Sequence, residues 1–466
     1  MNRLPLELLT KIFDFAADHD PGELATQIIP LTHVCRHWRT VLLSYPKIWS
    51  TVRMKPGDPS VISEWLARSQ EAPITVIAGF SDSYEHPLCH YQGSTAATLA
   101  DNDIRTVCPC HRAIISLDIL LPHRSRIRDL SIILRSSGPG WVHDCDREPT
   151  LLGHPFFKEP LPNLQHLDFR GDHPKSNRRT IPIPDSLFAK NLPRLKELTY
   201  LGVTGGLTRT AKNLASGEIG TWRGFAGPSI ISLDELQTFF SNNNTIESLT
   251  VNNCELFEGY QLPTTTPMPD LKFLKVGSPL GNHLKQILDC IHAPQFKDLD
   301  TVRVHFAFRG VHVVATDGSG HTLEFSQLTS GLSFHPLQHL GANITTLRLD
   351  GRGLEDEQGL YEFLRSLDTV QVLEFYMRIT DLVQRFLSVP GILPGLKVIR
   401  VTVSWLCCEG VLRVLADASR QRMEEGNAFT AIELLLPGSE DGLDQDLRAK
   451  WEERYKAWGI QDFLSG

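Results

Sequence analysis

The 466-residue sequence has no long hydrophobic run, and this absence excludes a simple membrane-spanning protein. No window approaches the roughly 18 consecutive apolar residues that a membrane-spanning helix needs. The N-terminal stretch reaches charged side chains within a few positions, which is not the pattern of a secretory signal. We therefore expect a soluble protein of the cytoplasm and/or nucleus that has no membrane partner.

The sequence also lacks an excess of positive charge and the cysteine pattern of a disulfide framework. The 46 Lys and Arg residues are outnumbered by 54 Asp and Glu residues, which gives a formal net charge of −8. This balance argues against non-specific binding to nucleic acid, so no nucleic-acid partner is expected. The nine cysteines are spread along the chain, as expected for reduced thiols rather than for a disulfide framework.

Motifs for nucleotide binding and hydrolysis are missing as well. The sequence has no GxxxxGK[ST] loop, no GxGxxG after a strand and no GxSxG elbow. The only metal-like cluster, Cys89-His90 with Cys108-Pro109-Cys110-His111, fits the ligand spacing of zinc sites poorly. His33 and His37 share one face of a predicted helix, but the sequence offers no obvious third ligand. We expect no cofactor, no metal and no catalytic site, and hence a protein that is not an enzyme.

What the sequence does contain is a repeat. The segment IESLTVNNCEL (residues 246–256) follows the leucine-rich-repeat pattern, in which a Cys or Asn at the ninth place follows a short strand. The first six positions of this pattern recur through most of the chain, and several neighbouring matches are separated by one repeat length. The matches begin at residues 114, 127, 164, 195, 246, 271, 299, 344, 370, 396 and 429.

Helical patterns occupy many of the gaps between these predicted strands. They cover SLDELQTFF, where Ser232 and Glu235 form a capping box, and the ranges 283–291, 357–367, 382–389 and 409–423. A single strand–helix unit cannot bury its own apolar face, whereas stacked units can. We therefore predict an α/β solenoid over residues 51–466, an irregular leucine-rich-repeat horseshoe with parallel strands on its concave face.

The predicted solenoid is irregular in four places. Loop insertions are expected near 135–162 and 205–230, which are rich in Gly, Pro and polar residues. In the range 311–326, apolar and polar residues alternate on both sides of Asp-Gly-Ser-Gly, which predicts an inserted β-hairpin. The helical spacing of large apolar residues over 443–458 predicts a C-terminal helical cap.

The first fifty residues are predicted to be separate and all-α. One amphipathic helix is expected over 1–17, and a second over 31–43. Two short helices cannot bury between themselves all of the large apolar side chains that they carry. They therefore either dock on the solenoid or present an apolar surface to a partner.

This N-terminal segment resembles the F-box proteins. LPLELLTKIF (4–13) matches the opening of the F-box, VCRHWRTV (34–41) its second helix and YPKIWSTV (45–52) its closing element. The ranges 61–76 and 120–132 are similar to the large fungal set of F-box proteins that carry irregular leucine-rich repeats. The segment between the two helices, roughly 17–30, is longer than usual.

The resemblance implies a partner and a set of contacts. In this family the F-box docks on the Skp-type adaptor of a cullin–RING ubiquitin ligase through apolar side chains. Carried over position by position, the implied adaptor contacts are Leu4, Pro5, Leu8, Leu9, Ile12, Val34, Cys35, Trp38 and Leu42. Some of these must also hold the two helices together, and Trp49 is expected to join the F-box to the solenoid. The alternative is that residues 1–50 only cap the solenoid and meet no adaptor.

The outward positions of the predicted strands suggest a client-binding face. Side chains alternate along a strand, so the column before the last apolar position of each motif should point out of the sheet. Its basic members and the residues two places further along make up the candidate client site: Lys275, Arg303, His305, Arg348, Tyr376 and Arg400. This column is either a solvated face of mixed charge, interrupted by Glu374, or a docking site for an acidic or phosphorylated client segment.

These features together predict a substrate-recognition subunit of an SCF-type ubiquitin ligase. Its F-box would bind a Skp-type adaptor and its repeats an unknown client protein. The competing interpretation is a leucine-rich-repeat scaffold that binds proteins without a ubiquitin-ligase role.

Overall fold

The structure is a computed structural model of the chain. It describes residues 4–18, 29–54, 59–81, 109–135, 152–172, 181–184, 186–220, 229–252, 254–257, 265–278, 282–307, 310–328, 343–351, 357–376, 389, 392–402, 408–424, 426 and 429–435. The predicted cap at 443–458, Cys89-His90 and Cys108 lie outside the described residues, as does nearly all of the helix predicted at 382–389.

Ten helices and four 3₁₀ segments are described. The helices are α1 (Leu6–Asp18), α2 (Arg36–Ser44), α3 (Pro59–Ser69), α4 (Pro109–Leu120), α5 (Pro155–Lys158), α6 (Leu207–Thr210), α7 (Leu233–Asn242), α8 (Asn282–Cys290), α9 (Glu357–Arg365) and α10 (Cys408–Glu424). The 3₁₀ segments are Pro46–Ser50, Leu121–Arg126, Leu187–Lys190 and Pro294–Asp298. In these described parts of the chain, no helix is both long and apolar enough to cross a membrane.

Short strands alternate with these helices. They are β1 (Thr51–Met54), β2 (Ile74–Ser81), β3 (Ile127–Arg135), β4 (His166–Asp172), β5 (Ile181–Ile183), β6 (Glu197–Leu201), β7 (Val203–Gly205), β8 (Ser216–Gly220), β9 (Ser229–Ser232), β10 (Ser248–Asn252), β11 (Cys254–Phe257), β12 (Thr266–Pro267), β13 (Phe273–Ser278), β14 (Ile291–His292), β15 (Thr301–Ala307), β16 (Gly310–Thr316), β17 (Thr322–Leu328), β18 (Thr346–Gly351), β19 (Val372–Tyr376), β20 (Val398–Thr402) and β21 (Ala431–Leu435).

The chain divides into two compact units. The first comprises Met1–Ile246 and Asn252–Leu262, and the second Glu247–Val251 and Pro263–Gly466. The sequence places its domain boundary at residue 50 instead. The N-terminal helices fall within the first unit because their core continues into α3 through Trp65.

In the first unit, β1, β2, β3, β4, β6 and β8 lie side by side in that order, and each neighbouring pair is parallel. Beside them, the short pairs β5–β7 and β9–β11 are also parallel. Parallel neighbours of this kind must be joined by crossover connections rather than by tight hairpin turns.

In the second unit the strand order is β10, β13, β17, β16, β15, β18, β19, β20 and β21. The pairs from β15 through β18 to β21 are parallel, as is β13–β17. The strands β16 and β17 form an antiparallel hairpin that lies between β13 and β15. The structure thus confirms a largely parallel sheet accompanied by helices.

Burial alternates along these strands as the repeat pattern predicts. In β20, Ile399 and Val401 are buried while the residues between them are not. Ten of the eleven six-residue matches coincide with strands. The exception begins at residue 114 and lies inside α4, where Leu117 and Leu120 are buried three residues apart, a helical spacing.

Neither of the ranges predicted to be loop insertions is entirely a loop. The range 205–230 contains α6 and β8. The sequence pattern does not predict β8 because Gly217 occupies a buried position where the pattern requires a large apolar residue. Within 135–162, α5 carries two buried aromatic residues, Phe156 and Phe157. Residues 136–151 are outside the described residues.

The turn of the β16–β17 hairpin is built around Asp317. Its Oδ1 accepts hydrogen bonds from the backbone N–H groups of Ser319 (2.9 Å) and His321 (2.8 Å). Gly320 adopts φ of 88°, which a residue with a side chain rarely does. The Asp-Gly-Ser-Gly segment therefore forms a tight turn at the centre of the range 311–326.

Candidate functional site

The N-terminal helices share a core of their own. Its buried members are Leu9, Phe13, Val41, Leu42, Ile48 and Trp49, and Leu31, Trp38, Tyr45 and Trp65 pack against them. The rings of Phe13 and Trp38 meet edge to face with their centroids 5.3 Å apart. Leu9 and Leu42 are fully buried, so the structure assigns them to this core and not to the adaptor surface that the resemblance implies.

Trp49 joins the N-terminal helices to α3. It is buried, and its Nε1–H donates a hydrogen bond to the carbonyl oxygen of Leu42 at 2.8 Å. Trp65 of α3 packs against its ring edge to face, with centroids 5.4 Å apart. The guanidinium of Arg68 lies over the same ring, 4.6 Å from its centroid.

A polar contact fixes α1 against the segment that follows α2. The Tyr45 hydroxyl donates to the carboxylate of Asp14 at 3.1 Å, and Lys47 forms an ion pair with that carboxylate, also at 3.1 Å. Burial, and then the negative charge of Asp14, raise the pKa of Tyr45. Tyr45 therefore stays a hydrogen-bond donor over the physiological range.

Cys35 has a structural role at the start of α2. Its Sγ accepts a hydrogen bond from the backbone N–H of Trp38 at 3.4 Å, which is the position of a helix N-cap. Trp38 is only partly exposed, and its Nε1–H has no hydrogen-bond partner among the described residues. Both residues belong to the implied adaptor contacts, and both are largely engaged within the domain.

The other implied contacts lie on the surface. Leu4, Pro5, Leu8, Ile12 and Val34 are all exposed. These five residues remain available to a partner, because the core described above does not use them.

Phe15 extends the exposed part of α1, although it is not among the adaptor contacts that the F-box resemblance implies. Leu8, Ile12 and Phe15 are 46%, 42% and 65% exposed and follow one another at i, i+4 and i+7. We call these three residues the α1 row. The same helical spacing that identifies the core of α1 could have identified Phe15, but the F-box motif ends at Phe13.

The predicted basic column of the second unit is neutralised by carboxylates on neighbouring strands. Lys275 pairs with Glu324, and Arg303 binds Asp350 through two nitrogens at 2.9 and 2.6 Å. Glu324 lies in the hairpin and Asp350 at the end of β18, positions that the repeat pattern did not align with the column.

The remaining two arginines of the column share Glu374. Its carboxylate accepts from Arg348 Nε at 2.5 Å and from Arg400 Nη1 at 3.0 Å, and Arg400 also binds Glu433 at 2.6 Å. The hydrogen bonds to Glu433 and then Glu374 raise the pKa of Arg400. Four cations thus meet four carboxylates, so the face is of mixed charge and the predicted basic patch is not formed.

The candidate client site also includes His305 and Tyr376. The Nδ1 of His305 contacts Asp350, the carboxylate that also binds Arg303. Tyr376 ends β19, and its side chain lies outside the described part of the structure.

The first unit carries a comparable polar row that the sequence did not indicate. Thr75 donates to Asp129 at 2.9 Å, Asp129 also contacts His166, and His166 Nε2 lies 3.5 Å from Glu197. These residues occupy equivalent positions on β2, β3, β4 and β6. Both units therefore present a polar, hydrogen-bonded sheet face.

One shallow cavity of about 310 Å³ lies in the second unit, at the start of β18, β19 and β20. The residues that line it include Asn343, Thr345, Asp368, Gln371 and Lys397. No set of three or more His, Cys, Asp or Glu residues within the described ranges is placed to hold a metal ion.

The N-terminal region matches a known family. A family model described as F-box-like matches residues 1–55. No curated protein matches the chain. The chain thus carries an F-box-like domain, which in general suggests a ubiquitin-ligase adaptor or substrate-receptor role, and domains of this kind typically bind Skp-type adaptors.

Proposed function

We propose that the protein is a substrate-recognition subunit of an SCF-type cullin–RING ubiquitin ligase. Its F-box-like domain binds a Skp-type adaptor, and the repeats that follow bind a client protein. One observation carries this proposal: within the residues that match the F-box-like model, α1 leaves an apolar row on the surface. The protein itself has no active site, and it acts in the cytoplasm and/or nucleus.

The α1 row suits a helix-in-groove interface. Residues at i, i+4 and i+7 present one continuous stripe, which is how an amphipathic helix anchors in a hydrophobic groove. Fully burying a Leu, Ile or Phe side chain contributes about 1.5–3 kcal/mol. Leu4, Pro5 and Val34 are further exposed residues of the same domain that could add to such an interface.

The rest of the chain presents the client. We propose that its strand–helix units are irregular leucine-rich repeats stacked into a solenoid, supported by the coincidence of ten motif matches with strands. The polar sheet face then binds the client, so that the ligase's other subunits transfer ubiquitin to a substrate held at high effective concentration. Because the positive and negative charges of this face balance, we expect a client that presents both acidic and basic side chains rather than a single acidic segment.

The proposal is tested by adaptor binding. Full-length protein carrying Ile12→Ala and Phe15→Ala together is compared with wild type for binding to a purified Skp-type adaptor. We expect affinity to fall at least 10-fold, because two apolar anchors are lost. Met423→Ala is the matched control, because Met423 is an exposed apolar residue on α10, outside the F-box-like domain.

Two results would contradict the proposal. If wild type does not bind the adaptor, the chain is better described as a scaffold without a ubiquitin-ligase role. If the double variant binds as tightly as wild type while its thermal unfolding is unchanged, the α1 row is not the docking surface.

A further inference from the structure

Two histidines lie directly opposite each other in the sheet of the second unit. The antiparallel register of β15 and β16 pairs His305 with His312. Residues paired in this way project from the same side of the sheet, with Cβ atoms about 4.5–5.5 Å apart. The two side chains are 49% and 36% exposed, so both imidazoles are accessible to a solute from one side.

Each imidazole is held through one ring nitrogen by a carboxylate. His305 Nδ1 contacts Asp350, and His312 Nε2 lies 2.8 Å from Glu324 Oε1. No other described residue forms a hydrogen bond with either ring, which leaves His305 Nε2 and His312 Nδ1 uncommitted. A carboxylate on one ring nitrogen is the usual support of a metal-binding histidine, because it fixes the tautomer and the ring orientation.

The two carboxylates are themselves fixed. Arg303 of β15 binds Asp350 on the neighbouring strand β18, and Lys275 of β13 binds Glu324 on the neighbouring strand β17. Two cation–carboxylate–imidazole chains thus converge from opposite sides on the histidine pair.

We propose that His305 and His312 form a two-histidine binding site for a divalent transition-metal ion such as Zn²⁺, Cu²⁺ or Ni²⁺. Imidazole nitrogen suits these ions, whereas Mg²⁺ and Ca²⁺ prefer oxygen ligands. Since no third His, Cys, Asp or Glu among the described residues completes the site, water fills the remaining positions. The proposal is independent of the ubiquitin-ligase role.

The sequence could not reveal this pair. In the sequence, His305 stands only as a member of the predicted basic column, and His312 lies in a hairpin between the predicted repeats. Only the register of β15 against β16 places the two side chains together.

Metal titration of the full-length protein tests the site. Cu²⁺ alone is added at pH 7.5, and binding is followed by calorimetry and by electron paramagnetic resonance, which reports the number of coordinated imidazole nitrogens. Because the chain has 18 histidines, the informative quantity is the difference between wild type and variants. We expect His305→Ala and His312→Ala each to lose the same single equivalent of Cu²⁺ that shows two imidazole nitrogens.

His321→Ala is the matched control. His321 lies in the turn between β16 and β17 and also contacts a carboxylate, with its Nδ1 2.6 Å from Asp317. Unlike His305 and His312, it is not paired with a second histidine. This variant should bind as many equivalents as wild type. Asp350→Asn should keep the stoichiometry and weaken binding about 10-fold, as expected for loss of a supporting carboxylate.

The proposal is overturned if the His305→Ala/His312→Ala double variant binds as many equivalents as wild type, or if His321→Ala loses as much. Should an alanine variant unfold, as judged by circular dichroism, His312→Asn provides the same comparison with a polar replacement.

Discussion

The side-chain oxygen of Asn243 accepts a hydrogen bond from the backbone N–H of Leu214 at 3.0 Å inside the first unit. The amide nitrogen of Asn243 donates to the carbonyl oxygens of Phe239 (2.8 Å) and Ala211 (3.1 Å). Asn243 is fully buried. One side chain therefore satisfies three backbone groups that water does not reach, and it ties the end of α7 to the segment before β8.

We expect Asn243→Ala to lower the free energy of unfolding by about 2–4 kcal/mol. Leaving a buried donor or acceptor unsatisfied costs about 1–3 kcal/mol, and this substitution leaves more than one backbone group without its hydrogen bond. Urea denaturation monitored by circular dichroism measures the effect. The neighbouring Asn244 is exposed, so Asn244→Ala should stay within about 0.5 kcal/mol of wild type. Equal effects of the two substitutions would contradict this assignment.

Two tryptophans of the F-box-like domain allow a paired comparison. Trp49 donates its indole N–H to Leu42, whereas the indole N–H of Trp38 has no partner among the described residues. Trp49→Phe loses a buried hydrogen bond, whereas Trp38→Phe loses none that the described residues show, so Trp49→Phe should destabilise the domain by about 0.5–1.5 kcal/mol more. Thermal or urea unfolding of both variants measures this difference. A larger loss for Trp38→Phe would show that its N–H is paired in solution.

Gly220 should not tolerate a side chain. It adopts φ of 124°, and a Cβ atom there would lie 1.7 Å from the carbonyl oxygen of Asn252. Gly220→Ala should therefore cost more than about 2 kcal/mol, because it combines a disfavoured backbone conformation with a backbone overlap. Gly79→Ala is the control, since a Cβ at Gly79 meets nothing within 4 Å. Equal unfolding midpoints for the two variants would refute the close approach.

Stability should depend on the protonation of His123. Burial, and then the nearby Arg126 guanidinium, lower the pKa of His123 from its ordinary value of 6.5. The unfolded chain then binds this proton more readily than the folded protein does, so the contribution of His123 to stability is lost as pH falls below about 6.5. His123→Gln should remove that part of the pH dependence. The measurement is the difference in unfolding midpoint between wild type and variant at pH 7.5 and at pH 5.5, which should shrink or reverse at the lower pH. A difference that is constant with pH would be inconsistent with the lowered pKa.

The parts of the fold that the sequence predicted are those set by local pattern. Alternating apolar residues located ten strands, and helical spacing located both N-terminal helices. Where a strand uses small residues, as β8 does at Gly217, the apolar pattern disappears and the sequence predicts a loop instead. The motif at 114 failed for the opposite reason, because a short apolar run fits a helix as well as a strand.

The candidate surfaces were less predictable because they depend on register. The four basic residues of the predicted column form ion pairs with carboxylates, and Glu324 and Asp350 reach them only through strand pairings that the repeat period does not encode. In the F-box-like domain, the spacing of apolar residues predicts an amphipathic helix. It could not separate Leu9, which packs inward, from Leu8, which faces solvent.

The β16–β17 hairpin also bears on how the second unit folds. Strands β15, β16 and β17 are joined in sequence order by antiparallel pairings, so their contacts close only short loops. Each parallel pair from β18 to β21 must first close a much longer loop, which carries a larger entropic penalty. We therefore expect this three-stranded meander to nucleate the unit, with Val313→Ala slowing refolding more than it accelerates unfolding and Val401→Ala doing the reverse.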